Sequence, residues 1–188
     1  MNSIFYFDTR PKFQDVLNSL RDTFSEIVAS DKDSFRDVDV TNTRIVAAAL
    51  QVAYSSSPND LSHYAQNMDM PYRAYKDKEA DSSAVHKTVH LSPLMVDYLK
   101  GGASKLNIEV LGPAEDLLHP GKKPEKRIRL GERQYLHVAI YHLHSLSDAN
   151  ISNAIKASYN IHPFKKVGKK ISLRYEDSSP PQKKTNHS

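Results

Sequence analysis

Two short strand-like segments in the second half of the chain each run directly into a helical pattern. The first, HKTVHL, precedes SPLMVDYLKGGASKLNI, in which Ser92 and Pro93 form a cap and first-turn proline. The second, KRIRL, precedes ERQYLHVAIYHLHSL, whose apolar residues recur at helical spacing. An alternating β-strand stays open as an alternative for QYLHVAIYHLH. This repeated order of strand and helix predicts a mixed α+β fold.

The first half of the chain is predicted to be mainly helical. Residues 11–29 place apolar side chains at three-and-four spacing, and Pro11 suits a first helical turn. The segment TNTRIVAAALQVAY predicts a second helix that Thr41 or Thr43 can cap and that ends near Ser55. A shorter helical piece follows before the chain becomes charged and loses its periodicity.

These changes in pattern predict four regions. We expect an acidic helical domain at residues 1–75, a linker at 76–85, a basic domain at 86–176 and a disordered tail at 177–188. The tail has the polar, proline-containing composition that cannot bury a core.

Charge is distributed unevenly between the two halves. Residues 1–118 hold 12 Lys or Arg against 17 Asp or Glu, whereas residues 119–188 hold 14 against 5. A basic region of this kind favours a polyanionic partner, because Lys and Arg that neutralise phosphates release condensed counterions. A basic surface that only aids solubility is the alternative reading.

Composition also removes several functional classes. The chain has no cysteine, which excludes disulfide frameworks, zinc ribbons, iron-sulfur clusters and thiol nucleophiles. No apolar run reaches the ~20 residues of a membrane span, and Met1–Phe7 lacks the character of a secretory signal. We therefore expect a cytoplasmic protein without a membrane partner.

The segment KRIRLGERQYLHVAIYHLHSLSDANISNAIKASY resembles the ribbon-helix-helix family of DNA-binding proteins. The resemblance implies that strands from two copies pair antiparallel and enter the major groove of DNA. Arg127 and Arg129 would then face bases, and arginine is well shaped for bidentate contact with guanine. The start of the second helix would meet the DNA backbone, with Ser147 and Asn150 as phosphate donors.

A second copy is predicted at KTVHLSPLMVDYLKGGASKLNIEVLGPAEDLL, 39 residues earlier. Thr88 and His90 would face outward to bases, and Val89 and Leu91 would face the core. One chain could then supply both strands as an internal pseudo-dimer, and a homodimer is the alternative. A third copy would combine a possible strand at Ser3–Phe7 with the two N-terminal helices.

The predicted function is therefore double-stranded DNA binding, as a transcriptional repressor or as an accessory factor of a larger DNA-processing complex. Basic side chains outside the strands are expected to contact phosphates. They are Lys122, Lys123, Lys126, Arg133, Lys165, Lys166, Lys169 and Lys170.

Other functions remain as alternatives. A protein-interaction adaptor could use the aromatic residues of the acidic half, namely Phe5, Phe7, Phe13 and Phe24. A helix-turn-helix could lie in NDLSHYAQNMDMPYRAYKD. Catalytic residues, cofactors and metals are not expected, because nucleotide-binding and hydrolase motifs are missing and His137, His142 and His144 do not have the H-E-x-x-H spacing.

Overall fold

Seven α-helices and a two-stranded sheet make up the part of the chain that the computed structural model describes, residues 3–9, 11–67, 85–118, 120–121 and 129–163. In chain order the elements are β1 (Ser3–Thr9), α1 (Pro11–Ser30), α2 (Asn42–Ser55), α3 (Pro58–Asn67), β2 (Val85–Leu91), α4 (Pro93–Leu106), α5 (Gly112–Leu118), α6 (Glu132–His144) and α7 (Asp148–Ser158). A π-helical turn, Asn107–Leu111, joins α4 to α5. These mainly helical elements with one small sheet agree with the predicted α+β class.

Two of the helices begin after a residue whose side chain accepts a hydrogen bond from a backbone N–H of the first turn. Thr41 Oγ1 accepts a hydrogen bond from the Arg44 N–H at the start of α2, and Ser92 Oγ accepts one from the Met95 N–H at the start of α4. Ser92 was predicted as a cap from the sequence, and Thr41 is one of the two residues, Thr41 and Thr43, that the sequence offered for α2. The segment QYLHVAIYHLH belongs to α6, so its helical reading is confirmed and the strand alternative is wrong.

The two strands pair antiparallel into a ribbon, with Ser3 opposite Leu91 and Tyr6 opposite Thr88. This pairing corrects the expectation that KRIRL lies beside HKTVHL. Residues 126–128 lie outside the described residues, and Arg129 and Leu130 are not in a strand. The Leu130 backbone instead forms two hydrogen bonds of 2.8 Å with the side-chain amide of Asn107. The repeat of 39 residues is therefore wrong.

A different repeat relates β1 and α1 to β2 and α4. In each half, one residue separates the strand from a helix that begins with proline, at Pro11 and at Pro93, 82 positions apart. Buried residues recur at the same spacing. The matched pairs are Phe7 with Val89, Phe13 with Met95, Leu17 with Leu99, Leu20 with Gly102 and Phe24 with Leu106.

The next two helices of each half also match, with a spacing of 90 positions. α2 corresponds to α6 and α3 corresponds to α7, because their buried residues fall at the same helical positions. The pairs are Ile45 with Tyr135, Val46 with Leu136, Ala48 with Val138, Ala49 with Ala139, Leu50 with Ile140, Ala53 with Leu143, Leu61 with Ile151 and Ala65 with Ile155.

The two halves interlock in one hydrophobic core. α2 packs against α6, and each of them also packs against the first helix of the other half, α2 on α4 and α6 on α1. The third helices follow the same rule, since α7 packs on α2 and α3 packs on α6. The predicted boundary at 76–85 therefore separates two parts of one packed unit. Most of that linker, and all of the tail at 177–188, lie outside the described residues.

A glycine in α4 makes room for the largest side chain of this core. A Cβ built at Gly102 would lie 2.1 Å from Cζ of Tyr135, so α4 approaches α6 closely at this point. The Gly101-Gly102 pair lies within α4, which continues to Leu106. The Tyr135 hydroxyl is buried, and its burial raises the pKa of the phenol.

The buried Arg44 ties the start of α2 to the chain that follows α7. Its guanidinium contacts Asp39 Oδ1 at 3.0 Å and Ser158 Oγ at 3.2 Å, and it donates to the carbonyls of His162 and Pro163. Partial burial alone would raise the pKa of Asp39, but hydrogen bonds from Arg44 and Thr41 lower it. The arginine therefore fixes the end of the second half onto the first half.

Within the described residues, none of the helices has the length and apolar character needed to cross a membrane.

Candidate nucleic-acid interface

The two faces of the ribbon differ sharply in exposure. Phe7, Val89 and Leu91 are buried on the inner face. On the outer face, Thr88 and His90 are exposed, as the alternation of HKTVHL predicts. β1 adds two exposed residues to the same face, Ile4 at 53% and Tyr6 at 55% exposure. Residues of successive strand positions point to opposite faces, so one side closes the core and the other is open to solvent.

The exposed side chains lie in two cross-strand pairs, Ile4 opposite His90 and Tyr6 opposite Thr88. Hydroxyl and imidazole groups can donate and accept hydrogen bonds, while Ile4 offers only an apolar surface. A two-stranded ribbon fits the major groove of B-DNA, which is about 12 Å wide. The outer face thus combines a suitable shape with groups that can contact base edges.

The start of α2 lies beside this ribbon. The His90 backbone N–H approaches Thr43 Oγ1 at 3.5 Å, and Thr43 belongs to the first turn of α2. Helix N-termini carry unpaired N–H groups and a partial positive charge, which favour anions. The matching helix start in the second half is that of α6, where Arg129 and Arg133 are exposed.

The other residues predicted to contact DNA fall into two groups. Ser147 and Asn150 are exposed at the start of α7, a third helix rather than a second one. Arg127 and seven of the predicted phosphate-binding lysines lie outside the described residues; the lysines are Lys122, Lys123, Lys126, Lys165, Lys166, Lys169 and Lys170. The structure therefore brings Thr88 and His90 together on the ribbon but does not bring Arg129 into it.

The three histidines of α6 are divided between its two sides, as their helical spacing predicts. His137 stacks on Phe13 of α1 at 4.1 Å between ring centroids. His144 also faces α1, where its Nε2 lies 3.2 Å from Ser19 Oγ. His142 Nε2 instead lies 3.0 Å from Ser56 Oγ. Burial lowers the pKa of His142, opposed by the nearby charge of Asp60. In the described ranges no three His, Asp or Glu residues are grouped so that they could hold a metal ion.

The aromatic residues proposed for an adaptor function belong mainly to the core. Phe7, Phe13 and Phe24 are buried, and Phe5 is partly buried against them. The expectation that these residues form a docking surface is therefore wrong, because three of the four side chains are buried in the core and the fourth packs against it.

Ile4 and Tyr6 are the site residues that the sequence reasoning missed. The signal was present in SIFYFDT, where the even positions alternate with Phe5 and Phe7. Only the partner strand, far away in the sequence, makes these positions part of one surface with Thr88 and His90.

Comparison with known proteins finds no matching family model, no matching curated protein and no matching solved structure.

Proposed function

We propose that this chain binds double-stranded DNA through the outer face of the β1–β2 ribbon. The observation that carries the proposal is the antiparallel ribbon itself, with a packed inner face and an exposed outer face of Ile4, Tyr6, Thr88 and His90. A transcriptional repressor or an accessory factor of a DNA-processing complex would both require this activity.

The chain fits an internal pseudo-dimer of ribbon-helix-helix type, in which one unit is the copy expected from a strand at Ser3–Phe7 and the two N-terminal helices, and the other unit is β2, α4 and α6. Each half supplies a strand, a first helix and a second helix, and the strands of the two halves pair antiparallel. The second helices are α2 and α6 in this arrangement. A single chain then provides both strands, so DNA binding needs no second copy.

Phosphate contacts follow from the same arrangement. The helix starts that correspond to the family's second helix are those of α2 and α6, rather than that of α7. We therefore assign the phosphate contacts to Arg129 and Arg133, which are exposed at the start of α6. Ser147 and Asn150 lie at the start of α7 and are not assigned this role. The lysines at 122–126 and 165–170 remain proposed contributors, since they add to the basic charge of the second half.

Fluorescence anisotropy of the full chain with a labelled random-sequence duplex tests the proposal. Affinity should fall steeply with salt, because each neutralised phosphate contributes a slope of about −0.9 in a log–log plot. Arg133→Ala should reduce that slope by about one. Ser104→Ala is the matched control, because Ser104 is exposed in the last turns of α4, away from the strand that precedes this helix. Failure to bind duplex at low salt would contradict the proposal, and an equal preference for RNA would redirect it.

The base-reading role of β2 has its own test. After selection of a preferred duplex, replacing Thr88 and His90 together by alanine should weaken that duplex about tenfold or more, since a good base contact discriminates by about 1–3 kcal/mol. Binding to random duplex should change little, because phosphate contacts carry it. Equal losses on both duplexes would argue against base contacts.

A second candidate function, binding a protein partner, is favoured by one surface. Ile108, Leu117 and Leu118 are exposed at 70%, 86% and 74% on the π-helical turn and α5. Contacts through such apolar residues would vary little with salt. The salt series therefore separates the two functions.

A further inference from the structure

The outer face of the ribbon is chemically unequal on its two strands. β1 contributes Ile4 and Tyr6, while β2 contributes Thr88 and His90. In the repeat of 82 positions, Tyr6 corresponds to Thr88, so matched positions carry different groups. A ribbon made by two identical chains would present the same side chains twice and would favour a palindromic site. This ribbon has no such constraint.

The exposed apolar side chains of β1 can contact the thymine methyl group in the major groove. Ile4 and Tyr6 are each more than half exposed, and the C5-methyl group of thymine is the apolar feature that a base presents there. Ile4 can form only apolar contacts, and the Tyr6 ring adds apolar surface with a hydroxyl at its tip. Thr88 and His90 instead carry donors and acceptors for base edges.

The exposure of Ile4 and Tyr6 follows from the alternation of buried and exposed residues along β1. The neighbouring residues of β1 behave differently, since Phe7 is fully buried and Phe5 is packed against the core. Ile4 and Tyr6 are therefore excluded from the core by the strand alternation that buries Phe7. Both are aligned with the hydrogen-bonding residues of β2 by the strand register, Ile4 with His90 and Tyr6 with Thr88.

We infer that the preferred DNA site is non-palindromic, with thymine methyl groups contacted by Ile4 and Tyr6 on one side and base hydrogen bonds made by Thr88 and His90 on the other. This inference rests on the proposed DNA-binding function. It specifies which duplexes bind best and assigns a different task to each strand.

Selection of bound duplexes from a random library, using the full chain, provides the first test. The enriched sequence is expected to lack two-fold symmetry and to contain thymines on the DNA strand that lies nearest to β1. Each DNA strand of that site is then resynthesised separately with deoxyuridine in place of thymidine, which removes only the methyl groups. Affinity should fall about three- to fivefold for each contacted methyl on one DNA strand, and should not change when the other DNA strand is substituted.

Variants assign the methyl contacts to the strand. Ile4→Ala combined with Tyr6→Ala should bind the thymidine and deoxyuridine duplexes equally, while Thr88→Ala should keep the difference. Circular dichroism and thermal melting establish that the variants fold, which is expected because the replaced side chains are exposed.

The outcomes separate the inference from the function on which it rests. A palindromic selected site, or duplex binding without any effect of deoxyuridine, would overturn the inference and leave DNA binding intact. No duplex binding at any salt concentration would overturn both.

Discussion

The two halves of the core, residues 3–67 and 85–163, bury the same positions but fill them with side chains of different size. The first half has Leu20 on its first helix and Ile45 on its second. The second half has Gly102 and Tyr135 at the matched positions. A large residue on one helix is thus accompanied by a glycine on its neighbour. Burial is conserved between the halves even where residue identity is not, because close packing restricts total volume more than individual side chains.

The helices α2 and α6 also carry side chains of different size at matched positions. α2 carries Ala48 and Ala53 where α6 carries Val138 and Leu143, and the two helices pack against each other. Small residues on one and large residues on the other allow a close helix pair without voids. The comparison indicates that the halves have become specialised for each other, so neither can replace the other.

The largest expected effect concerns a position where the halves differ in charge and burial. Arg44 in the first half corresponds to Gln134 in the second. Arg44→Met should lower the free energy of unfolding by about 3 kcal/mol, because Asp39 loses its ion pair and the carbonyls after α7 lose a buried donor. Gln134→Met, which removes only the exposed hydrogen bond to the Gly131 N–H, should cost about 1 kcal/mol. Urea denaturation of both variants measures the difference, and equal losses would show that the arginine does not hold the halves together.

An intermediate effect is expected from the glycine–tyrosine pair. Gly102→Ala should destabilise the protein by about 1–3 kcal/mol, because the new Cβ would overlap the Tyr135 ring. Adding Tyr135→Ile, which copies the first half, should restore most of the loss. Gly101→Ala is the control, since its Cβ would meet only the edge of the Tyr54 ring at 3.2 Å. Urea midpoints of the wild type, Gly102→Ala, Tyr135→Ile and the double variant form a double-mutant cycle, and a double variant that is no more stable than Gly102→Ala would refute the proposed compensation.

The smallest effect is a pH dependence that comes from a histidine of the second half. His142 corresponds to Val52, and burial lowers the pKa of this histidine in the folded protein. The unfolded chain therefore binds a proton more readily, so stability should decrease as the pH falls below about 6.5. His142→Val should flatten this part of the stability profile. Thermal melting between about pH 5 and 8 measures it, with His144→Gln as the control on the exposed side of α6; an unchanged slope in His142→Val would contradict the assignment.

Local patterns predicted the helices well. The periodicity at 11–29, the caps at Thr41 and Ser92 and the spacing of the α6 histidines all depend on residues within a few turns of each other. Helical character is a local property, so a single sequence contains the information needed.

Strand pairing was not predictable in the same way. KRIRL and HKTVHL are similar short segments, but Val85–Leu91 pairs with Ser3–Thr9, which lies about eighty residues away. The true repeat was hidden because compensating changes such as Leu20 and Gly102 remove its sequence signal. Half of the candidate site, Thr88 and His90, followed from alternation, whereas Ile4 and Tyr6 depended on the non-local pairing.

The interlocked packing of α2 and α6 also has a consequence for synthesis of the chain. When α3 has left the ribosome, the apolar side of α2 still lacks α6 and α7, which are encoded more than sixty residues later. Translation proceeds at about 5–20 residues per second, so this surface stays uncovered for several seconds in every nascent molecule. During this time the apolar side of α2 is exposed to solvent in the nascent chain. We therefore expect the nascent first half to be a substrate for chaperones.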